Sequence, residues 1–283
     1  MLLRRRGTMD VGLKDRTVIV TGASGGIGRG LVLAFAQEGA NVVLASRDEA
    51  KCKEVAEAAA GLPGQARVVP TDVTDLASVD ALVEATREHF GDADVLVNNA
   101  GGVYYPRPFL EKPAEEAEWE LALNIHGVVN CTRAVGARMV ERGEGSIVNI
   151  TSNSALLGEA GNMVANYAGA KGYVMSFSKA LSYEWGPLGV RINCVSPGWI
   201  VPWEAEHVGE GSFWKKYGYE FFGTPEQMAE QAEKGELFNA SGQPIQRIGR
   251  PEDVAALAVF FASPLAAHLT GQLVSVGGGA YMP

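Results

Sequence analysis

Short apolar runs alternate along this chain with longer stretches in which apolar residues recur every three or four positions. Thr17-Val18-Ile19-Val20, Asn41-Val42-Val43-Leu44-Ala45, Arg67-Val68-Val69 and Asp94-Val95-Leu96-Val97 are runs of the first kind. Ser146 to Ser152, Val190 to Val195 and Gln272 to Val276 are three more. Their β-branched content predicts strands buried on both faces. Leu31 to Ala36, ending near Glu38-Gly39, and Pro251 to Ala262 have the helical period. Strands that alternate with helices to the end of the chain predict an α/β protein with a parallel sheet. The length of 283 residues allows two domains, but α/β folds of this size are commonly one. A hydrophobic share of 47% supplies a full core, and neither an internal repeat nor a low-complexity tract interrupts it.

The turn after the first run carries the first candidate chemistry. Thr21-Gly22-Ala23-Ser24-Gly25-Gly26-Ile27-Gly28 links a strand to a helix, and a second strand follows. Strand, glycine loop, helix and strand in that order form a dinucleotide-binding unit. Gly22 allows the tight turn, Gly26 lets backbone approach a pyrophosphate, and Gly28 lets helix pack on strand. The spacing is G-x-x-x-G-x-G rather than G-x-G-x-x-G. The helix start presents free N–H groups and a positive dipole end to the phosphates.

The second is Tyr167-Ala168-Gly169-Ala170-Lys171. Residues four apart share a helix face. A free tyrosine titrates near pH ~10, and a neighbouring ammonium is expected to pull that value down towards working pH. Tyr-x-x-x-Lys is thus an acid/base device in outline.

Together with Asn98-Asn99-Ala100-Gly101, Ser152 and Pro197-Gly198, these motifs resemble the short-chain dehydrogenase/reductase family, in family order from about Leu13 to Gly279. The resemblance implies a single Rossmann domain over 13–283, with a doubly wound, parallel seven-stranded sheet and helices on both faces. It implies catalytic roles for Asn124, Ser152, Tyr167 and Lys171. Tyr167 donates to the carbonyl oxygen, Ser152 stabilises it, and Lys171 tunes the tyrosine and holds the nicotinamide ribose. Asn124 supports a water that relays protons to the lysine. Ser154 remains a second choice for the serine, because fifteen positions separate Ser152 from Tyr167, slightly more than the usual pattern, and Glu159 to Asn162 absorb the difference. Cofactor contacts carry over to Gly22, Ser24, Gly26, Ile27 and Gly28, to Ser46 and Arg47, and to Asp72 and Val73 at the adenine. They extend to Asn98, Ala100 and Gly101, to Tyr167 and Lys171, and to Pro197, Gly198 and Ile200. Pro202 stands where the family usually has a threonine that contacts the carboxamide.

Ser46 and Arg47 follow the second strand where a carboxylate would select NAD(H). A hydroxyl and a guanidinium suit a 2′-phosphate, so NADP(H) is preferred and NAD(H) possible, with Asp48 near enough to complicate the choice. The function implied is hydride transfer between a nicotinamide cofactor and an alcohol/ketone pair. The alternatives are an enoyl reductase and a non-catalytic nucleotide sensor on the same fold. Between Trp203 and Phe238 lie eight aromatics, including Phe213, Trp214, Tyr217, Tyr219, Phe221 and Phe222, in a substrate lobe over about 200–248. Part of that stripe has helical spacing and reads as a helix on the main domain. Its glycines suit a lid. With Tyr104 and Tyr105 opposite, these aromatics favour a bulky hydrophobic carbonyl or alcohol over a sugar.

A net charge of −9 argues against nucleic acid. Cys52, Cys131 and Cys194 lack C-x-x-C spacing, and His89, His126, His207 and His268 lack ligand spacing, so reduced thiols and no metal are expected. His126, two residues after Asn124, could border the site. Met1-Leu2-Leu3-Arg4-Arg5-Arg6 lacks the apolar region of a secretory signal and begins a flexible extension over 1–12. Without a membrane-length apolar run, a soluble cytoplasmic protein is expected. The resemblance implies a homotetramer.

Overall fold

The computed structural model describes residues 10–157, 163–202, 207–208, 214–234, 236, 244–245 and 247–282. The apolar runs form strands β1 (Thr17–Thr21), β2 (Asn41–Ser46), β3 (Ala66–Pro70), β4 (Val95–Asn98), β5 (Gly145–Ile150), β6 (Val190–Pro197) and β7 (Leu273–Val276). Between them run α1 (Gly26–Gln37), α2 (Glu49–Ala58), α3 (Leu76–Phe90), α4 (Ala114–Leu121), α5 (Gly127–Arg142) and α6 (Ala165–Trp185). After β6 come α7 (Tyr219–Phe222), α8 (Pro225–Glu233) and α9 (Pro251–Ala262). The sheet order is β3-β2-β1-β4-β5-β6-β7, every pair parallel.

Alternation along each strand divides the core in two. Val18, Val20, Val97 and Val148 pack with Leu31 and Phe35 of α1 and Phe261 of α9. Ile19, Leu96 and Ile147 point the other way, onto Leu82 of α3, Val135 and Met139 of α5, and Leu181 of α6. Helices cover both faces, so the strands read as unbroken apolar runs. The chain reverses direction across the sheet between β1 and β4, which opens a crevice at their carboxyl ends.

Three boundaries differ from expectation. β5 stops at Ile150, so Thr151 and Ser152 sit on the turn beyond the sheet edge rather than within the strand. Asn124 lies not in a regular helix but in a widened π-helical turn, Ala122–His126, between α4 and α5. Its side-chain Nδ2 donates to the Glu120 carbonyl at 2.8 Å, and the amide of Gly127 bonds Ala122. A side chain that competes for a helix carbonyl loosens the turn. In the aromatic stretch, the regular helix expected from Phe213 to Phe221 is instead a wide turn, Trp214–Gly218, followed by short α7. Trp214 and Tyr219 pack there against Val201, Met228 and Ile248. Trp203, Phe213, Phe238 and residues 158–162 lie outside the described residues.

Candidate active site

The crevice begins at the glycine loop, which is held from below. Thr21 Oγ1 accepts from the amides of Asn99 and Ala100, both at 3.0 Å. Asn99 Nδ2 donates to the carbonyls of Thr21 and Gly22 at 2.9 and 3.1 Å. Gly22 has φ +64, and a Cβ on Gly28 would run into the Gly22 carbonyl. Only glycine permits that turn and that helix approach. No side chain caps α1 at Gly25, so its first amides face the cavity unpaired by the chain. A loop that brings backbone close and an uncapped helix start fit a pyrophosphate.

Beyond the loop, Ser46 Oγ and Ser24 Oγ are 3.1 Å apart. Arg47 reaches Asp72 at 3.9 Å and is more than half exposed. Asp48 also lines the cavity, and its Oδ1 caps α2 by accepting from the Lys51 amide at 3.0 Å. Burial works against the Asp72 charge, but hydrogen bonds from Thr74 and the Arg47 guanidinium hold its carboxyl below the ordinary value. Asn130 of α5 donates to the Val73 carbonyl at 3.0 Å and fixes that loop.

At the other end, β5, α6 and the π turn bring four side chains together. The Ser152 hydroxyl acts on the Tyr167 phenol and lowers its pKa. Ser152 Oγ also accepts from the Ser154 amide at 3.2 Å. Lys171, one turn along α6, donates to the Ile150 carbonyl at 2.9 Å, and its Nζ lies 5.7 Å from the Tyr167 ring centre. A Cβ on Gly101 would stand 2.7 Å from Asn124 Oδ1 and 2.8 Å from Lys171 Nζ, so only a glycine lets both reach this point. Asn124 Nδ2 donates to the Gly102 carbonyl and Oδ1 accepts from the Gly102 amide.

One cavity of about 950 Å³ joins the two ends. It runs from Gly22, Gly26 and Arg47, past Ala100, Ser152, Tyr167 and Lys171, to Pro197, Gly198 and Ile200. Its far wall is Tyr105, Trp119, Leu157, Met163, Trp199 and Trp214. Trp199 meets Trp214 edge-on at 5.9 Å.

The sequence carries the same signature. The family model described as short chain dehydrogenase matches residues 16–208. The chain belongs to the short-chain dehydrogenase family. A model described as enoyl-(acyl carrier protein) reductase matches residues 222–281. The dehydrogenase subunit BbsD of Thauera aromatica, which acts on (2S)-[(R)-hydroxy(phenyl)methyl]succinyl-CoA, is 33% identical over 95% of this chain and 98% of its own. The 3-oxoacyl-[acyl-carrier-protein] reductase FabG of Thermotoga maritima is 32% identical over 94% and 98%. The L-rhamnose 1-dehydrogenase of Azotobacter vinelandii is 35% identical over 95% and 98%. A short-chain dehydrogenase/reductase structure from Mycobacterium marinum superposes with a TM-score of 0.81 at 30% identity, over 96% of this chain and 98% of that one. The chain is accordingly an oxidoreductase that works with a nicotinamide cofactor on alcohol and carbonyl groups. The bound cofactor supplies or accepts the hydride.

Within this dehydrogenase some expected positions move. The Asn98 side chain turns into the sheet, donating to Thr132 and Asn149 at 3.0 and 2.8 Å, and does not line the cavity. Asn99, its neighbour, braces the glycine loop instead. Tyr105 lines the cavity, but Tyr104 packs behind the wall, edge-on to Trp119 at 5.3 Å. His126 is exposed and outside it. Trp119 and Trp199 line the site without having been anticipated. Trp199 follows Pro197-Gly198 directly, a positional signal the chain did offer. The tyrosine pKa also departs from expectation. Burial raises it, the Ser152 hydrogen bond offsets part of that, and the Glu120 charge adds to the rise. Lys171 is not among the groups that shift it, and burial lowers the lysine's own pKa to about 8.

Proposed function

We propose that the chain is an NADP(H)-preferring reductase and dehydrogenase of bulky hydrophobic ketones and secondary alcohols. The observation that carries this is the single cavity, with a dinucleotide cradle at one end, the Ser152–Tyr167 pair in the middle and an aromatic wall beyond. Tyr167 works from its protonated form, because its raised pKa keeps the hydroxyl a donor at neutral pH. Ser152, rather than Ser154, shares the developing oxyanion, since its hydroxyl is the one that lowers the Tyr167 pKa. Lys171, anchored to Ile150, and Asn124, anchored to Gly102, complete the set. Arg47 and Ser46 suit a 2′-phosphate, and the capping role of Asp48 supports this choice over the ribose diol.

The same fold with a carbon–carbon double bond as acceptor is the second reading, favoured by the enoyl reductase description of residues 222–281. A non-catalytic sensor has no need of the Asn124, Ser152, Tyr167 and Lys171 constellation. A homotetramer finds support in the exposed Tyr173 and Tyr183 on α6 and Phe260 and Val274 on α9 and β7. The cysteines are buried and unpaired, which suits the reducing cytoplasm. No helix among the described residues is long and apolar enough to cross a membrane.

Tyr167→Phe tests the reading. Cofactor affinity should stay within about twofold while turnover of a ketone falls by roughly 10³-fold. Turnover that survives the substitution removes the proton-donor role.

A further inference from the structure

Tyr105 of the aromatic wall stands on a loop, residues 102–107, with no regular structure of its own. Its backbone is held by one stripe of the neighbouring helix. Glu116, Glu120 and Asn124 recur every four residues through α4 and into the π turn and face the loop together. Asn124 binds both backbone groups of Gly102, at 3.0 and 2.8 Å. Glu120 Oε1 accepts from the Tyr104 amide at 2.9 Å. Lys112 Nζ bridges the two sides, donating to Glu120 Oε1 at 2.7 Å and to the Tyr105 carbonyl at 2.9 Å. Glu116 pairs with Arg107 through two bonds at 3.1 and 3.2 Å. The Arg107 amide then donates to the Met163 carbonyl at 3.0 Å, tying this loop to the segment before α6.

The centre of the stripe is the unusual part. Glu120 is wholly buried, and the Lys112 side chain is 4% exposed. Glu120 Oε2 is also buried and accepts no hydrogen bond among the described residues. A buried ion pair with an unmet acceptor is a poor source of stability, and apolar residues of similar size commonly do as well. What apolar residues cannot do is hold the Tyr104 amide and the Tyr105 carbonyl at fixed positions. Neither Lys112 nor Glu120 lines the cavity. Both act on the wall through the backbone of the residues beside them, while the Glu120 charge also reaches Tyr167.

We propose that the buried Lys112–Glu120 pair is a positioning device for substrate recognition, setting the place of Tyr105 in the cavity wall without touching substrate or cofactor. The proposal rests on the reading of that wall as the substrate site. It implies that substrate affinity, more than the chemical step, depends on a charge pair behind the wall.

The test is the matched apolar replacement Lys112→Met with Glu120→Leu, beside the single Glu120→Gln, which keeps an acceptor for the Tyr104 amide. The double variant should melt within a few degrees of wild type and bind NADPH as wild type does. Its KM for a bulky ketone should rise about tenfold with kcat within about threefold, because the lost interaction shapes binding rather than the transition state. Glu120→Gln should recover part of that loss. Amide hydrogen exchange at residues 102–107 should quicken in the double variant and less in Glu120→Gln. If the double variant does not fold, Glu120→Gln decides: a KM raised about threefold at unchanged NADPH affinity supports the proposal, and an unchanged KM overturns it. A folded double variant with wild-type KM and wild-type exchange also overturns it. A wild-type protein that turns over no carbonyl compound defeats the underlying functional reading instead, and the exchange data alone then decide whether the pair holds the loop.

Discussion

The two ends of the cavity are made of different material. The nucleotide end is backbone: Gly22, Gly26 and Gly28, the uncapped start of α1, and the carboxyl ends of β1 and β4. Of the side chains there, Thr21 and Asn99 fix the backbone, and Ser46 and Arg47 line the rim. The other end, which we propose takes the substrate, is side chain: Tyr105, Trp119, Trp199 and Trp214 arrive from four separate stretches. The loop that carries Tyr105 is held by the polar stripe of α4 instead of by a sheet. A backbone site tolerates few residues at a few spacings, so its motif can be read from a sequence. A side-chain site can be refilled residue by residue on an unchanged frame, so the fold by itself does not fix the substrate.

That contrast can be broken from either side. The largest effect belongs to the backbone end. Gly28→Val forces a side chain into the Gly22 carbonyl and should weaken dinucleotide binding by about 100-fold, read by fluorescence titration. Affinity within a few fold of wild type would mean that the loop is not the cradle. Next, Arg47→Ala should cost about tenfold in NADPH affinity, a modest figure for an exposed guanidinium, and leave NADH unchanged. Tighter NADH than NADPH binding in wild type would reverse the cofactor assignment. The catalytic middle titrates. Lys171 has a folded pKa of about 8, below its ordinary 10.5, so it holds its charge below about 8 and loses it above. Reductive kcat/KM should therefore be flat below that value and fall above it, towards about tenfold per pH unit. The same depression penalises the charged lysine in the folded state, so Lys171→Met should flatten a rise in stability between about 8 and 10.5. An alkaline limb that survives in Lys171→Met would move the assignment to another group. The smallest effect is at the substrate end. Trp214→Ala should raise KM about fivefold and change kcat less, because one wall residue contributes mostly uniform binding. Unchanged kinetics would take Trp214 out of the substrate wall.

The same contrast explains what could be read from the chain in advance. The strands were legible because burial on both faces leaves them unbroken apolar runs, as Val18 to Val20 and Val95 to Val97 show. The glycine loop and the Tyr167–Lys171 pair were legible because spacing alone expresses their geometry. Tyr104 was misplaced because nothing local says which of two adjacent tyrosines faces a cavity; the grip of Glu120 on its amide decides that. Asn98 and Asn99 were exchanged for a similar reason. Successive residues at a strand end point to opposite faces, and the buried partners Thr132 and Asn149 claim the first. The upward shift of Tyr167 was hidden because burial is a tertiary quantity, while the adjacent lysine is plain in the sequence.

The central claim is that the aromatic end of the cavity chooses the substrate. It is tested by steady-state rates of the wild-type protein with NADPH on three acceptors: a cyclic or aromatic ketone, a small sugar carbonyl and an enoyl thioester. The account predicts the highest kcat/KM for the cyclic or aromatic ketone. A sugar as the best acceptor, or reduction of the enoyl double bond in preference to any ketone, would contradict it.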